Sequence, residues 1–476
     1  MKIVFAKMHD TGKNLILTGV QYPINIGYLA QVCLDAGYEV EMWDFCIEPF
    51  EPDYIIDKIK RAKPDILGVS CVTSAIYNGH DLCSIAKNVD ENILTIVGGV
   101  HITALPEECL EEFPSFDMGV LQEAEGIILD ICESVESGDL RPNNIPGTVF
   151  RDNGNIKFGP PHLSLPDVNE IPYPNRDLLQ MERYAQKHSG RGISRNVWNV
   201  IEIDSARGCP YACTFCNVEL THGRKMRERT PEHVMGEIEG CVAKFDTNFV
   251  LFNDSTFTIR KDRASEIVRS LPGAGIKAYS VNAHVNTVDA EFLETLARTG
   301  CYRIMFGVES GSERVLRAIK KNSTRERIKE AVFAAKRASI PQVETTFILG
   351  SDPWETEEDM LATEELIREL QPDLLALGII TPFPGTTQFT DLKRMGFLDG
   401  LRWDQYQIFT ETPPPWRIKN YSAEELVKRR NSILKSYIWT PRYVLKQLAK
   451  IRSFGELKYY AGMANSFYKV VIKHAN

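Results

Sequence analysis

The first 140 residues alternate short apolar runs with longer amphipathic stretches. The apolar runs have the length of strands, whereas the stretches between them repeat apolar residues at helical spacing, as in Ile26 to Ala36 and Tyr54 to Ala62. This alternation predicts a parallel sheet with crossover helices, which is a Rossmann-like arrangement. The predicted strands run from Lys2 to Ala6, Tyr38 to Asp44, Ile66 to Ser70, Thr95 to Val97 and Met118 to Leu121.

The stretch from residue 141 to residue 195 breaks this pattern. It is dense in Pro, Gly and Asn, a composition that indicates a linker between two domains. Within it, Asn153-Gly154 is a strong signal for a two-residue turn, so we expect a small hairpin from Thr148 to Phe158 that packs on one of the domains.

A second alternation of strands and helices occupies residues 196–400. Helices such as Pro231 to Phe245 and Asp289 to Thr299 separate six apolar runs, which predicts a partial (β/α)6 barrel with functional residues at the carboxyl ends of its strands. Residues 401–476 have a helical pattern. The six predicted strands run from Ile201 to Asp204, Phe249 to Asn253, Lys277 to Asn282, Arg303 to Gly307, Gln342 to Leu349 and Asp373 to Ile380.

Length and charge narrow the class of protein. A chain of 476 residues can form two or three domains, each with its own core, and a net charge of −9 argues against nucleic acid as a partner. Met1 to Ala6 reads as a first strand rather than a signal peptide, and no apolar run approaches the ~18 to 20 residues that span a bilayer. We therefore expect a cytoplasmic protein whose 11 cysteines form no disulfides.

Three of these cysteines, Cys209, Cys213 and Cys216, lie within eight residues on a loop that follows the strand-like run from Val197 to Ile203. A zinc site needs four ligands, commonly as two separated pairs, and no second Cys or Cys/His pair lies nearby. The spacing therefore favours an iron–sulfur cluster. The alternative is three unrelated core cysteines, since free Cys is often buried.

The spacing Cys-x3-Cys-x2-Cys, with Phe215 before the last cysteine, resembles the signature of radical S-adenosylmethionine (SAM) enzymes. The resemblance implies a four-iron cluster held by Cys209, Cys213 and Cys216, whose free iron chelates SAM. It also implies that an electron, supplied by a donor such as flavodoxin or ferredoxin, cleaves SAM to a 5′-deoxyadenosyl radical. That radical takes hydrogen from a carbon that no side-chain base could deprotonate.

Polar residues and glycines also stand at three later strand ends, and these segments resemble the SAM contacts of the same family. The resemblance places Asp254 toward the amino end of SAM and Gly350 beside its adenine. It places Glu309 and Ser310 toward the ribose and amino acid portions. Without a ligand, Asp254 would be a helix cap and Glu309 a solvated acid. Many relatives read Arg and then Asp where this chain has Ala283-His284-Val285-Asn286, so a third-strand contact to the SAM carboxylate is lost or made differently.

Two loops of the first predicted sheet are candidates for ligand binding, because open α/β sheets bind ligands beyond the carboxyl ends of their strands. The first loop follows Ser70 and contains Thr73 and Tyr77. The second begins with Gly98-Gly99, where the missing side chains would let the backbone approach a large planar ligand. The alternative for the glycine pair is a tight turn.

In chain order, residues 19–30, 68–70, 97–101 and 117–126 resemble the cobalamin-binding domain that is fused to many radical SAM enzymes. Cobalamin mutases carry Asp-x-His-x-x-Gly after the first strand, whereas here His9 is followed by Asp10-Thr11-Gly12. The resemblance therefore implies cobalamin without a lower histidine ligand. Tyr77 and Asn78 are candidates to face the corrin, and the alternative for both is a surface position.

The carboxyl-terminal residues have their own charge. From Tyr421 onward, 11 Lys and Arg against 3 Asp and Glu give +8, which leaves −17 on the rest of the chain. Aromatic residues, including Trp439 and Tyr459-Tyr460, are interleaved with these bases. The composition suits peripheral contact with a membrane or a lipid-like, anionic substrate. The alternative is a helical cap on the barrel with its charges in water.

Together these features predict an α/β protein with an amino-terminal cobalamin-binding domain (1–140), a linker (141–195), a radical SAM barrel (196–400) and a helical region (401–476). The resemblance implies methylation of an unactivated carbon of a small-molecule or lipid-like substrate, with a second SAM reloading the cobalt. Radical cyclisation or rearrangement, with or without cobalamin, is an alternative. A second alternative is a non-catalytic carrier of cobalamin or of the cluster.

Overall fold

Two sheets with helices packed around them form the described part of the protein. The computed structural model describes residues 1–9, 20–138, 140–162, 164–185, 198–407, 413–414, 416–449 and isolated positions from 451 to 464. Gly19, residues 186–195, Val197 and Tyr459-Tyr460, which belong to predicted segments, lie outside the described residues.

The strands of the amino-terminal sheet are β1 Lys2–Lys7, β2 Glu39–Asp44, β3 Ile66–Ser70, β4 Leu94–Gly98, β5 Met118–Val120, β6 Thr148–Asp152 and β7 Asn155–Phe158. They lie in the order β2-β1-β3-β4-β5-β6-β7, with β1 to β5 parallel and β6 and β7 antiparallel. Its helices are α1 Ile24–Asp35, α2 Pro52–Ala62, α3 Ile76–Val89, α4 Val100–Ala104, α5 Pro106–Glu112 and α6 Ile128–Glu136.

The parallel strands are continuous apolar runs because helices cover both faces of the sheet. In β1, Ile3 and Phe5 pack into the core on one face, and Val4 and Ala6 pack into the core on the other. The end of α1 also agrees with the sequence prediction, because Gly37 adopts the left-handed conformation (φ 87°) just beyond this helix.

The hairpin predicted from Asn153-Gly154 is present, with both residues at positive φ (49° and 82°). Its first strand, β6, pairs antiparallel with β5, so the hairpin extends the amino-terminal sheet. The sheet therefore continues past the domain boundary predicted at residue 140.

The second sheet contains six parallel strands, β8 Val200–Ile203, β11 Phe249–Phe252, β12 Ala278–Ala283, β13 Cys301–Glu309, β14 Gln342–Leu349 and β15 Leu374–Ile379. Their order is β15-β14-β13-β12-β11-β8. A separate two-stranded ribbon consists of β9 Ala206–Arg207 and β10 Arg227–Glu228. The helix before the second sheet and those around it are α7 Met181–Ala185, α8 Val218–His222, α9 Pro231–Phe245, α10 Lys261–Ser270, α11 Ala290–Arg298, α12 Glu313–Ala318, α13 Arg325–Arg337, α14 Glu357–Leu370 and α15 Thr387–Arg394.

Alternation along these strands gives the sheet an apolar face and a polar face. Ile304 and Phe306 of β13 belong to the large core beneath the helices. On the other face, the guanidinium of Arg303 is fully buried between the carboxylate of Glu344 (2.5 Å) and the hydroxyl of Ser280 (2.8 Å). The predicted α/β architecture, with a partial six-stranded barrel, is confirmed.

Two helices, α16 Ala423–Ile438 and α17 Pro441–Leu448, lie in the described part of the carboxyl-terminal region. A reciprocal capping box between Ser422 and Glu425 begins α16. Leu426 of this helix is buried in the barrel core. Among the described residues, no helix is both long enough and apolar enough to cross a membrane.

Candidate active site

The three cysteines lie on the cluster loop, which we define as residues 208–226, between the strands of the β9–β10 ribbon. Gly208 begins the loop at φ 92°, and a Cβ there would lie 2.4 Å from the Lys225 carbonyl oxygen. Only glycine fits this close approach. The loop is therefore closed at its base by tight backbone packing.

Backbone hydrogen bonds hold the cysteines in place. The Cys209 N–H donates to the Gly223 carbonyl (3.2 Å), and the Cys216 N–H donates to the Cys213 carbonyl (3.1 Å). Cys209 and Cys213 are half-buried and Cys216 is exposed, whereas seven of the other eight cysteines are buried. Cys216 is thus the one exposed cysteine of the chain, and Cys209 and Cys213 are less buried than most of the others.

The three sulfurs of the loop are not arranged around a single metal ion. Across the residues that the structure describes, no three Cys, His, Asp or Glu side chains converge as the ligands of one metal ion would. In a four-iron cluster each cysteine binds a different iron, so the three sulfurs stand further apart.

A buried lysine that the sequence analysis missed lies beside these thiols. The Lys321 ammonium is 2.8 Å from the Glu309 carboxylate, and both side chains are less than 10% exposed. A Cβ on Gly307 would lie 2.7 Å from the Lys321 nitrogen, so this glycine leaves room for the ion pair. Burial raises the pKa of Cys213 to about 11, and the positive charge of Lys321 opposes that increase. The sequence signal that could have pointed to Lys321 is its short separation from Glu309 along the chain, across α12.

Asp254 is oriented toward the protein rather than toward open space. Its carboxylate accepts hydrogen bonds from the Ser205 N–H (2.7 Å), the Ser205 hydroxyl (2.5 Å) and the Ala206 N–H (3.2 Å). Burial raises the pKa of Asp254 to about 6, while the Ser205 hydrogen bonds lower it. The carboxylate therefore ties the end of β11 to the segment that leads into the cluster loop.

Ser310 and Gly350 are also engaged by protein groups. The Ser310 hydroxyl is fully buried, 3.1 Å from the Thr363 hydroxyl. Gly350 has φ 76°, and a Cβ there would lie 2.8 Å from the Leu426 side chain of α16. Packing against the carboxyl-terminal helix accounts for this glycine without a ligand.

Two unpartnered polar atoms lie buried next to Gly350. The Gln388 amide nitrogen donates to the carbonyl oxygens of Gly350 (3.2 Å) and Ser351 (2.7 Å), and the Gln388 backbone N–H donates to Thr214 of the cluster loop (3.1 Å). The Gln388 side-chain oxygen and the Ser351 hydroxyl have no hydrogen-bond partner. Because buried polar atoms are almost always partnered, this pair fits the polar edge of a bound ligand such as SAM.

His284, in the segment where the sequence departs from its relatives, supports the cluster loop. Its ring stacks on Tyr211 of that loop, with centroids 4.0 Å apart. Its Nε2 donates to the Lys321 carbonyl (3.0 Å), and its Nδ1 accepts from the Asn286 N–H (3.2 Å). Burial and the charge of Lys321 lower the pKa of His284 to about 4, so the ring is neutral.

The strand order of the amino-terminal sheet places a topological switch point between β1 and β3, where doubly wound sheets bind ligands. Ser70 ends β3, and its hydroxyl accepts a hydrogen bond from Asn25 (2.8 Å). Thr73 is buried in a 3₁₀ turn. Between them, Val72 has 52% of its surface exposed, which leaves an apolar side chain at the crevice.

The two glycines after β4 have different surroundings. Gly99 has φ 108°, and a Cβ there would lie 2.4 Å from the Cys71 carbonyl oxygen, so close packing explains it. A Cβ on Gly98 would meet nothing within 4 Å. Gly98 is therefore the residue that borders open space.

His101, in α4, is the strongest indication of a ligand site in this domain. It is 1% exposed, and neither ring nitrogen has a hydrogen-bond partner. The Trp403 ring makes an edge contact with it, at 4.9 Å between centroids. Burial lowers the pKa of His101 to about 4. An orphaned imidazole beside the open Gly98 fits a large polar ligand such as cobalamin.

Tyr77 contacts the carboxyl-terminal region. The Arg402 guanidinium lies 4.7 Å from the centre of its ring, and Phe113 makes an edge contact at 5.5 Å. Asn78 donates to the His9 carbonyl (2.9 Å). The contact between residues 402–406 and this domain joins distant parts of the chain and had no sequence signal.

Comparison with known proteins gives two domain matches. Residues 15–131 match the B12 binding domain, and residues 203–367 match the radical SAM superfamily. The chain is a radical SAM protein with a B12 binding domain. The predicted family is confirmed, together with its cofactors, a 4Fe–4S cluster, SAM and cobalamin.

Relatives of this radical SAM protein are similar over most of its length. An uncharacterized methyltransferase of Pyrococcus horikoshii is 28% identical over 94% of each chain. An anaerobic magnesium-protoporphyrin IX monomethyl ester cyclase of Rubrivivax gelatinosus is 27% identical over 98% of this chain and 82% of its own. A cytidylyl-2-hydroxyethylphosphonate methyltransferase of Streptomyces wedmorensis is 26% identical over 79% of each chain.

Solved structures share the whole fold. The radical SAM methyltransferase TsrM of Kitasatospora setae, with cobalamin and a [4Fe-4S] cluster bound, is 16% identical, with a TM-score of 0.73 over 98% of this chain and 99% of TsrM. The cobalamin-dependent radical enzyme OxsB is 16% identical, with a TM-score of 0.72 over 98% of this chain and 71% of OxsB.

Proposed function

We propose that the protein methylates an unactivated carbon of a small organic substrate. When bound, the cluster and SAM supply hydrogen abstraction, and cobalamin supplies the methyl group. One observation carries the proposal: the carboxyl-terminal edges of the two sheets face each other. Gln122, just beyond β5, donates to the Leu220 carbonyl in the cluster loop (3.1 Å). A Cβ on Gly385, after β15, would lie 3.2 Å from Ala104 of α4.

Residues of the cluster loop and of the neighbouring barrel segments hold the cluster and SAM. Cys209, Cys213 and Cys216 bind three irons of the cluster. The Lys321 ammonium pairs with the SAM carboxylate, because it lies next to the cysteines and because the usual third-strand arginine is absent. Glu309 then accepts from the SAM ammonium.

The remaining ligand contacts follow from the orphaned atoms and the open crevice. The Gln388 oxygen and the Ser351 hydroxyl hydrogen-bond the adenine or the ribose. In the other domain, Ser70 and Gly98 border the corrin, and His101 hydrogen-bonds one of its polar substituents. Asp254, Ser310 and Gly350 keep the surrounding strand ends in place, which is the role that their present contacts favour.

Cyclisation is the second candidate, because the similar cyclase of Rubrivivax gelatinosus covers 98% of this chain. Product analysis distinguishes the two reactions. Methylation consumes SAM in two ways, so substrate turnover should release both 5′-deoxyadenosine and S-adenosylhomocysteine. Cyclisation should release 5′-deoxyadenosine alone. A non-catalytic carrier of cobalamin or of the cluster should release neither compound. S-adenosylhomocysteine that stays at the level of a cobalamin-free control would overturn the methylation proposal.

The partners are a small-molecule substrate and an electron donor such as flavodoxin or ferredoxin. Peripheral membrane contact is a further proposal, supported by the exposed side chains of Trp439 (55%), Leu445 (66%) and Leu448 (55%) at the α16–α17 corner. Against it, the Lys446 ammonium pairs with Asp373 (2.8 Å), so part of the basic charge is neutralised. Flotation with anionic liposomes that is no greater than with neutral ones would refute the contact.

A further inference from the structure

The ribbon that closes the cluster loop opposes two like charges. In the antiparallel pairing of β9 with β10, Arg207 stands directly across from Arg227. Like charges opposite each other in a strand pair are destabilising. A two-residue ribbon has few backbone hydrogen bonds to offset that repulsion. The base of the cluster loop therefore needs a negative charge from elsewhere.

Glu123 of the B12 binding domain supplies that charge. Glu123 follows β5, and its side chain is 3% exposed. It accepts hydrogen bonds from Arg207 Nη1 (2.8 Å) and Arg227 Nη1 (2.9 Å), and His222 Nδ1 lies 2.7 Å away. Burial alone raises the pKa of Glu123, but the hydrogen bonds from His222 and Arg227 hold it well below its usual range. One carboxylate thus bridges both strands of the ribbon and α8.

Two further residues of the amino-terminal domain hold the same arginine. Arg207 Nη2 donates to Glu125 (2.7 Å), and its guanidinium lies 4.9 Å from the centre of the Tyr28 ring. Arg207 is two residues before Cys209, so these contacts act directly on the first cluster ligand. The amino-terminal domain, rather than the barrel, makes the polar contacts to this side chain.

We infer that Glu123 is a positioning residue that keeps the cluster loop closed, so that cluster retention depends on the docked B12 binding domain. The inference rests on the three cluster ligands proposed above and does not depend on methyl transfer. It assigns to the amino-terminal domain a second role beside cobalamin binding. In the folded protein, loss of the Glu123 carboxylate leaves Arg207 paired with Glu125 alone, and no acid then bridges Arg207 and Arg227.

The test uses the full chain, reconstituted anaerobically with the cluster and cobalamin. In Glu123→Gln, iron release to a ferrous chelator should be at least about tenfold faster than in the parent, because one member of a buried charge network is removed. Glu219→Gln is the matched control, since Glu219 lies on the same loop but pairs with Arg224 at the surface. Its iron release should equal that of the parent.

A rescue variant separates charge bridging from a general loss of folding. Glu123→Gln combined with Arg227→Gln removes the repulsion together with the acid, so iron release should return to within about threefold of the parent rate. Parent-like iron release in Glu123→Gln would overturn the inference. A double variant that loses iron as fast as Glu123→Gln, or faster, would also overturn it. If the cluster assignment itself is wrong, a triple Cys→Ala variant will hold as much iron as the parent, which distinguishes that failure.

Discussion

Removal of the Lys321 charge is the sharpest test of the SAM site. The Lys321 ammonium lies 2.8 Å from the Glu309 carboxylate, and Lys321→Met removes this buried cation. On the proposed assignment, the SAM carboxylate loses its partner as well. A charged hydrogen bond contributes about 1.5–3 kcal/mol, which corresponds to a dissociation constant for SAM about 10- to 150-fold higher.

Titration with SAM under anaerobic conditions measures this constant, through the change that SAM binding causes in the paramagnetic resonance spectrum of the reduced cluster. Lys320→Met is the matched control, because Lys320 is the exposed neighbour and should leave the constant unchanged. Lys321→Met combined with Glu309→Gln removes both buried charges, so it should keep its iron and still bind SAM weakly. A dissociation constant for SAM within threefold of the parent value, in either Lys321 variant that retains a full cluster, would refute the pairing of Lys321 with the SAM carboxylate.

Three other predictions concern the cofactors. A variant with Cys209, Cys213 and Cys216 changed to Ala should bind little iron or sulfide after anaerobic reconstitution, whereas replacement of the other cysteines should preserve the cluster; equal iron in variant and parent contradicts this. The cob(II)alamin form should show no nitrogen hyperfine splitting from a protein imidazole, and such splitting would disprove the absence of a lower histidine ligand. Because burial lowers the pKa of His101 to about 4, its unfolded form takes up a proton first as the pH falls. This residue should therefore cost about 2 kcal/mol of stability between pH 7 and pH 5. The free energy of unfolding, measured with urea on the cobalamin-free protein, should change less with pH in His101→Leu than in the parent. An equal change in both proteins would refute the lowered pKa of His101.

Local chemistry made much of the fold predictable. Helix α9 has the predicted bounds, Pro231 to Phe245, because Thr230 caps it and proline is favoured in its first turn. The hairpin at Asn153-Gly154 follows from residues that tolerate positive φ. Its position in the amino-terminal sheet could not be predicted, since the pairing of β6 with β5 depends on contacts between distant segments.

The candidate site was predictable only in part for the same reason. The cysteine spacing is local, so the cluster loop could be located from sequence. The partners of Asp254 and Gly350 could not, because Ser205 and Leu426 reach them through the fold. Lys321 was missed because its short spacing from Glu309 does not by itself show that the two side chains are buried together.

The most direct test of the central claim follows the methyl group of SAM to cobalamin, and it needs no knowledge of the substrate. The reconstituted and reduced protein would be incubated with SAM that carries a trideuterated methyl group, and the extracted cobalamin would be analysed by mass spectrometry. A cobalamin-dependent methyltransferase should yield trideuterated methylcobalamin together with S-adenosylhomocysteine. Cobalamin that stays unmethylated while the same protein cleaves SAM to 5′-deoxyadenosine would contradict the account.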